Sequence, residues 1–185
     1  MGPPGAGKGT QAARLAAALG VPAISTGDIF RANIAAGTAL GLQVQHYTSA
    51  GGYVPDEVTN EMVRARLQER DASQGWLLDG YPRTSAQVRA LDDMAVSSGH
   101  PLEAVVALEV DEDVLVRRLA QRAIDEDRAD DTEEVIRHRQ KLYREETAPL
   151  LAEYAARSLL IPVDGAGSEH DVTHLIMDAL SQLND

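Results

Sequence analysis

The segment that most constrains this chain is Gly2-Pro-Pro-Gly-Ala-Gly-Lys8-Gly-Thr10. Gly5, Gly7 and Gly9 let the backbone approach an anion and turn its N–H groups inward. Residues 8–19 (KGTQAARLAAAL) are rich in helix formers and stop at Gly20, so the loop opens onto a helix N-terminus, which favours negative charge. Lys8 can reach terminal phosphates, and the Thr10 hydroxyl is placed near phosphate and Mg²⁺. The pattern departs from plain GxxxxGK[ST] because Gly9 stands between Lys8 and Thr10. A Gly/Pro turn before a helix would need neither the lysine nor the threonine.

The rest of the chain alternates helices with short apolar runs. Strands are expected at 22–25, 76–79, 104–110 and 159–163, and helices at 84–98, 111–122, 131–156 and 171–183. Residues 26–70 read as three helices, broken near Gly37 and Gly51-Gly52, with Pro55-Asp56 opening the third. Alternation of this kind predicts an α/β fold, a parallel sheet with helices on both faces, and 26–70 as an insertion at its edge. At 185 residues, one domain with small insertions is expected.

Charge and composition narrow the function. The net charge of −12 fits a duplex-binding surface poorly. Of the 17 basic residues only Lys8 and Lys141 are lysines, and the guanidinium fork of the remaining arginines suits phosphate oxygens. There is no cysteine, no apolar run near the ~18 residues of a membrane span, and no basic or apolar leader at Met1-Gly-Pro-Pro-Gly. A cytoplasmic protein without nucleic-acid or membrane partners is expected. The five histidines are scattered and carry no assigned chemistry.

Four further segments stand in order behind the loop: Ser25-Thr-Gly-Asp-Ile-Phe-Arg31, Leu78-Asp-Gly-Tyr-Pro-Arg83, the arginines Arg118, Arg122, Arg128 and Arg139, and Thr147-Ala-Pro-Leu150. Together with GxPGxGKGT they resemble the nucleoside monophosphate kinases, and adenylate kinases most, over residues 2 to about 183. The resemblance implies a P-loop three-layer α/β/α domain spanning 1–185, with an AMP-binding insertion at 25–54 and a short lid at 122–132. It implies reversible phosphoryl transfer from Mg·ATP to AMP, giving two ADP, by a monomer that uses Mg²⁺. The family's long zinc-binding lid is not expected without cysteines. Chemistry of this kind needs positioning, charge neutralisation and water exclusion rather than a strong base.

By the same resemblance, Gly5, Ala6, Gly7, Lys8, Gly9, Thr10, Arg118, Arg122 and Gly167 hold ATP. Thr26, Arg31, Gly52, Tyr53, Val54, Gly80, Tyr81, Pro82, Arg83, Gln87, Arg128 and Arg139 hold AMP. Lys8, Arg83, Arg122, Arg128 and Arg139 act on the transferring group, and Asp79 holds a Mg²⁺ water. Bland readings stand beside these. Asp79 could cap the next helix and Arg83 be a surface charge. Arg118 and Arg122, four apart on one helix face, could be a solvated stripe paired with Glu133 or Glu134. Gln87 could be an exposed helix position. A UMP/CMP kinase is the first alternative, but that branch has Ala and Asn where Thr26 and Gln87 stand. An inactive nucleotide-binding protein and a small-molecule kinase are the others.

One departure is expected to matter. In the family an apolar strand of about six residues precedes the loop, and here the loop begins at Gly2. Its absence would leave buried backbone groups unpaired, at roughly 1–3 kcal/mol each. The expectation is a natural start a few residues earlier; the alternative is a chain that folds with a gap and binds nucleotide poorly.

Overall fold

The computed structural model describes residues 1–125 and 132–183. Helix α1 (Lys8–Leu19) buries Ala12, Leu15 and Ala16, the i, i+3, i+4 stripe of an amphipathic helix. It ends at Gly20, whose left-handed backbone donates to the Ala16 carbonyl. Strand β1 (Ala23–Ser25) follows, then α2 (Thr26–Ala35), α3 (Ala39–Ser49) and α4 (Asp56–Leu67). Strand β2 (Leu77–Asp79) leads into α5 (Ser85–Ser98), and β3 (Val105–Glu109) into α6 (Glu112–Asp125). Then come α7 (Glu133–Leu142), α8 (Pro149–Ala156), β4 (Leu160–Asp164) and α9 (Glu169–Ser181). Ser25, Thr38, Thr84, Thr132 and Ser168 accept side-chain cap bonds at the starts of α2, α3, α5, α7 and α9. Each satisfies a backbone donor the helix itself cannot.

The long helix expected over 131–156 is interrupted. Residues Tyr143–Thr147 form a π-helical turn in which Ala148 N–H reaches back to the Tyr143 carbonyl at 2.8 Å. Pro149 has no N–H and its ring crowds the carbonyl four residues back, so the wider turn lets α8 begin at the proline.

All pairing between strands is parallel. Ile24 lies opposite Leu78 and Ser25 opposite Asp79; Val105 to Glu109 lie opposite Leu160 to Asp164. Among the described residues the strands form two pairs, β1–β2 and β3–β4, rather than the one sheet that alternation predicts. Met1 supplies a single rung beside β3: its amine donates to the Val106 carbonyl, and Leu108 N–H donates to the Met1 carbonyl at 3.0 Å. Helices cover both faces of β3–β4. Val106 and Leu108 pack with Leu15, Leu115, Val172 and Ile176, whereas Val105 packs with Val88, Leu150 and Tyr154. The alternation of side chains along β3 thus feeds two cores, and the architecture is the helix–sheet–helix layering of a P-loop α/β domain.

Helices α2 and α3 share a small cluster of Phe30, Val44 and Val54, against which Val58 and Met62 of α4 pack. Helix α3 crosses α2 so closely at Gly41 that a Cβ there would lie 2.2 Å from the Asn33 carbonyl oxygen.

Candidate active site

The loop before α1 is held open by its own bonds. Gly5 and Gly7 have φ of +87° and +91°, which L side chains rarely adopt. Ala6 is buried and donates its N–H to the Pro3 carbonyl at 3.1 Å, and Lys8 Nζ donates to the same carbonyl at 2.9 Å. Gly7 caps α1 without a side-chain bond, so the leading N–H groups of the helix are left for an anion. Asp79 ends β2 with its carboxylate against this first turn: a Cβ on Gly9 would lie 3.6 Å from Asp79 Oδ2. Asp79 thus faces the turn that carries Lys8 and Thr10, and all three line one cavity.

After β2 the chain turns sharply through Gly80, Tyr81 and Pro82, with a cis bond between the last two. Gly80 holds φ at +79°, and a Cβ there would stand 2.8 Å from Thr26 Oγ1. The Gly80 carbonyl accepts from Thr26 Oγ1 at 3.1 Å and from Arg83 Nε at 2.7 Å. This one oxygen fixes both side chains. The Arg83 guanidinium lies over the Tyr53 ring, 5.0 Å from its centroid. Burial lowers the Arg83 pKa; Tyr53 and Asp79 oppose the shift, while Arg139 and Arg31 reinforce it. Guanidinium stays charged in proteins, so the shift marks a buried cation, with Arg139 and Arg31 adding like charge nearby. A polyanion would offset that charge.

Arg31 is paired with Asp28, and the Arg139 stem would lie 3.3 Å from a Cβ on Gly51. Both line one cavity of about 1370 Å³ with Lys8, Asp79, Arg83 and Gln87. Ligand pockets usually enclose ~300–1,000 Å³. This cavity is larger because it also runs between the strand pairs, past Leu15, Leu77, Val105 and Ile176.

Farther along the cavity, Gly52 N–H donates to the Tyr47 carbonyl at 2.9 Å and Val54 is buried. The Tyr53 hydroxyl lies 3.0 Å from Thr147 Oγ1, which donates to the Arg83 carbonyl at 2.9 Å. Tyr81 is buried, its hydroxyl donating to Asn60 Oδ1 at 2.7 Å; burial raises its pKa. Gln87 is 2% exposed, so the exposed-helix reading fails. Its Oε1 accepts from Arg83 N–H at 2.7 Å and its Nε2 donates to Asp56 Oδ1 at 2.6 Å. Thr84, not Asp79, caps α5.

Arg118 bridges two loops. Its Nη1 donates to the Ala6 carbonyl at 3.5 Å, and its Nη2 to the Gly167 carbonyl at 3.4 Å. It is bound to carbonyls rather than to Glu133, which pairs with Arg137. Arg128 and the side chain of Arg122 lie outside the described residues. Sequence reasoning missed Asp56 and Thr147 as parts of this network. The only signal was local: Asp56 opens a helix and Thr147 precedes a proline by two residues.

The amino-acid sequence matches known proteins. The family model described as Adenylate kinase matches residues 1–159. The chain is 61% identical over 180 residues to an adenylate kinase of Nocardioides sp., covering 97% of this chain and 94% of that one. It is 58% identical over 182 residues to an adenylate kinase of Kocuria rhizophila, covering 98% and 97%. Against an adenylate kinase of Clavibacter michiganensis the identity is 56% over 181 residues, covering 98% and 90%. A family match over most of the chain, on a fold that gathers the loop, Asp79 and three arginines at one cavity, leaves one conclusion: the chain belongs to the adenylate kinase family.

Proposed function

We infer that the chain catalyses reversible transfer of the terminal phosphoryl group of Mg·ATP to AMP, giving two ADP. The observation that carries this reading is the convergence of Lys8, Arg31, Arg83 and Arg139 on one cavity in a member of that family. Two phosphate chains brought together repel each other, and fixed cations are what such a site needs.

In the proposed assignment Gly5, Ala6, Gly7, Lys8, Gly9 and Thr10 cradle the ATP phosphates, with Arg118 and Gly167 at its adenine end. The bonds from Arg118 to the Ala6 and Gly167 carbonyls support that pairing of loops. Arg31 and Arg83 hold the AMP phosphate, and Arg83 and Arg139 act on the transferring group. Thr26, Gly52, Tyr53, Val54 and Gln87 shape the AMP base pocket, and Gly80, Tyr81 and Pro82 set its floor. Arg122 and Arg128 join the catalytic arginines on motif alone. Residues 25–54 serve as the acceptor-binding insertion, a reading supported by the close packing of α2 on α3 and by their own cluster of Phe30, Val44 and Val54. Residues 122–132 are read as the short lid. Mg²⁺ fits the donor set: Asp79 and Thr10 offer the oxygen ligands or water partners that a hard cation prefers. When bound it would neutralise charge on the phosphates. A monomer working in the cytoplasm completes the proposal.

The test is a coupled assay of ADP formation with Mg·ATP and AMP, UMP or CMP. AMP is expected to exceed the pyrimidine nucleotides by at least about tenfold in kcat/KM, the scale of one good hydrogen bond. Equal or better turnover of UMP would overturn the assignment of the acceptor.

A further inference from the structure

Gln87 lies on the cavity wall, and two partners of opposite and fixed polarity hold the ends of its amide. The Arg83 N–H can only donate, and it meets Oε1. The Asp56 carboxylate, when ionised, can only accept, and it meets Nε2. Turning the amide over would set N–H against N–H and oxygen against carboxylate. Asp56 is itself held, because its second oxygen accepts from Thr84 Oγ1 at 2.8 Å. It also stands in the first turn of α4, where negative charge is favoured. Asp56 does not line the cavity, so it acts through Gln87.

Two bonding positions on the amide remain after these contacts: one lone pair of Oε1 and one N–H of Nε2. Their order in space is set by the lock. A 6-aminopurine offers a donor at its amino group and an acceptor at the neighbouring ring nitrogen. A 6-oxopurine offers the reverse, an acceptor oxygen and a ring N–H. A freely turning glutamine could serve both by exchanging its ends; a locked one serves a single order.

We propose that Asp56 is a specificity-determining positioning residue: by locking the Gln87 amide it admits a 6-aminopurine monophosphate as acceptor and rejects a 6-oxopurine monophosphate. The proposal rests on the reading of Gln87 as a contact of the acceptor base. A mismatched base leaves buried polar groups facing like groups, and sites of that kind discriminate strongly.

The experiment compares AMP with inosine monophosphate as acceptors for the full chain and for Asp56→Asn. The substituted side chain keeps the size of Asp56, but its amide can face Gln87 and Thr84 with either polarity, so that of the two fixed partners of the Gln87 amide only Arg83 N–H remains. The wild-type preference in kcat/KM is expected to be at least about 100-fold, and Asp56→Asn is expected to lower that ratio by about tenfold or more, chiefly through KM. Asp56→Ser, whose shorter side chain withdraws the acceptor from Gln87 Nε2, should shift the ratio the same way and serves if the first variant melts early. A structural role alone would weaken both acceptors in proportion. An unchanged ratio in folded Asp56→Asn and Asp56→Ser overturns the lock. Gln87→Ala separates the two levels. If it raises the KM for AMP while the Asp56 variants leave the ratio alone, only the lock fails. If it leaves that KM unmoved, the base contact fails and the lock with it.

Discussion

Arg83 and Tyr53 are joined twice. The Arg83 guanidinium rests over the Tyr53 ring at 5.0 Å, and the Tyr53 hydroxyl reaches the Arg83 backbone through Thr147 Oγ1. The arginine is thus fixed from below by a ring, from behind by the Gly80 carbonyl, and along its backbone by a threonine from the π-helical turn. Residues from three separate parts of the chain hold one charged fork in place.

Arg83→Ala should lower kcat by about 100- to 1,000-fold, the scale of removing one preorganised group that meets developing charge. The melting temperature should move less than the activity, since a buried cation costs desolvation that offsets much of what its bonds contribute. Arg83→Lys should restore little activity because the planar fork is lost. Steady-state kinetics beside thermal melts check this; near-wild-type turnover in Arg83→Lys would refute the bidentate role.

Tyr53 separates the two links. Tyr53→Phe keeps the ring beneath the guanidinium and removes only the contact with Thr147. A fall of about threefold to tenfold in kcat/KM for AMP is expected, the worth of one hydrogen bond. Tyr53→Leu also removes the cation–ring contact, worth roughly 0.5–2 kcal/mol, and should fall further. If the two variants behave alike, the ring contributes nothing.

Gly80→Ala should be costly at a single methyl group. The position has φ of +79°, and the new Cβ would press on Thr26 Oγ1 at 2.8 Å. Left-handed backbone alone costs a non-glycine residue roughly 1–2 kcal/mol. A lower melting temperature together with a raised KM for AMP is expected. A melt matching wild type would show that the turn relaxes freely.

The cavity between the strand pairs, where Met1 pairs with β3, makes a prediction about pH. Burial lowers the Met1 amine pKa from 8.0 to about 5, with Lys8 adding to the shift. Between those values the unfolded chain binds a proton that the folded one does not. Stability of the 185-residue chain should therefore climb as pH rises from about 5 to 8, and be lowest below 5. Replacing Met1 by the apolar segment Met-Arg-Ile-Val-Leu-Leu would turn that amine into a neutral amide and continue the ladder that Met1 begins beside Ala107. The pH step should vanish, and the melting temperature should rise by several degrees. Paired melts at pH 5, 6.5 and 8 decide it; equal melts for the two chains would show that the cavity gains nothing from a strand.

The order of elements was largely legible because it is written in local signals. Gly20 ends α1, Pro55-Asp56 opens α4, and Gly37 and Gly51 break the helices between. Candidate site residues are legible in motifs for the same reason, and the fold places Lys8, Asp79, Arg83 and Gln87 on the wall of one cavity. What the sequence hid depends on distant partners. No local pattern says that Asp56 will face Gln87 across 31 residues, or that Thr147 will bridge Tyr53 to Arg83. The π-helical turn at 143–147 was hidden too, because an expected helix absorbs a proline silently unless its register is known. The split into two strand pairs is a matter of long-range ladder bonds, which residue spacing does not encode.

The most direct measurement is phosphorus NMR of the chain with Mg·ATP and AMP, integrated over time. For each ATP lost, one AMP should disappear and two ADP appear, with no inorganic phosphate, and the same mixture should form from ADP alone. Loss of ATP to ADP and inorganic phosphate with AMP untouched would contradict phosphoryl transfer between nucleotides at this cavity.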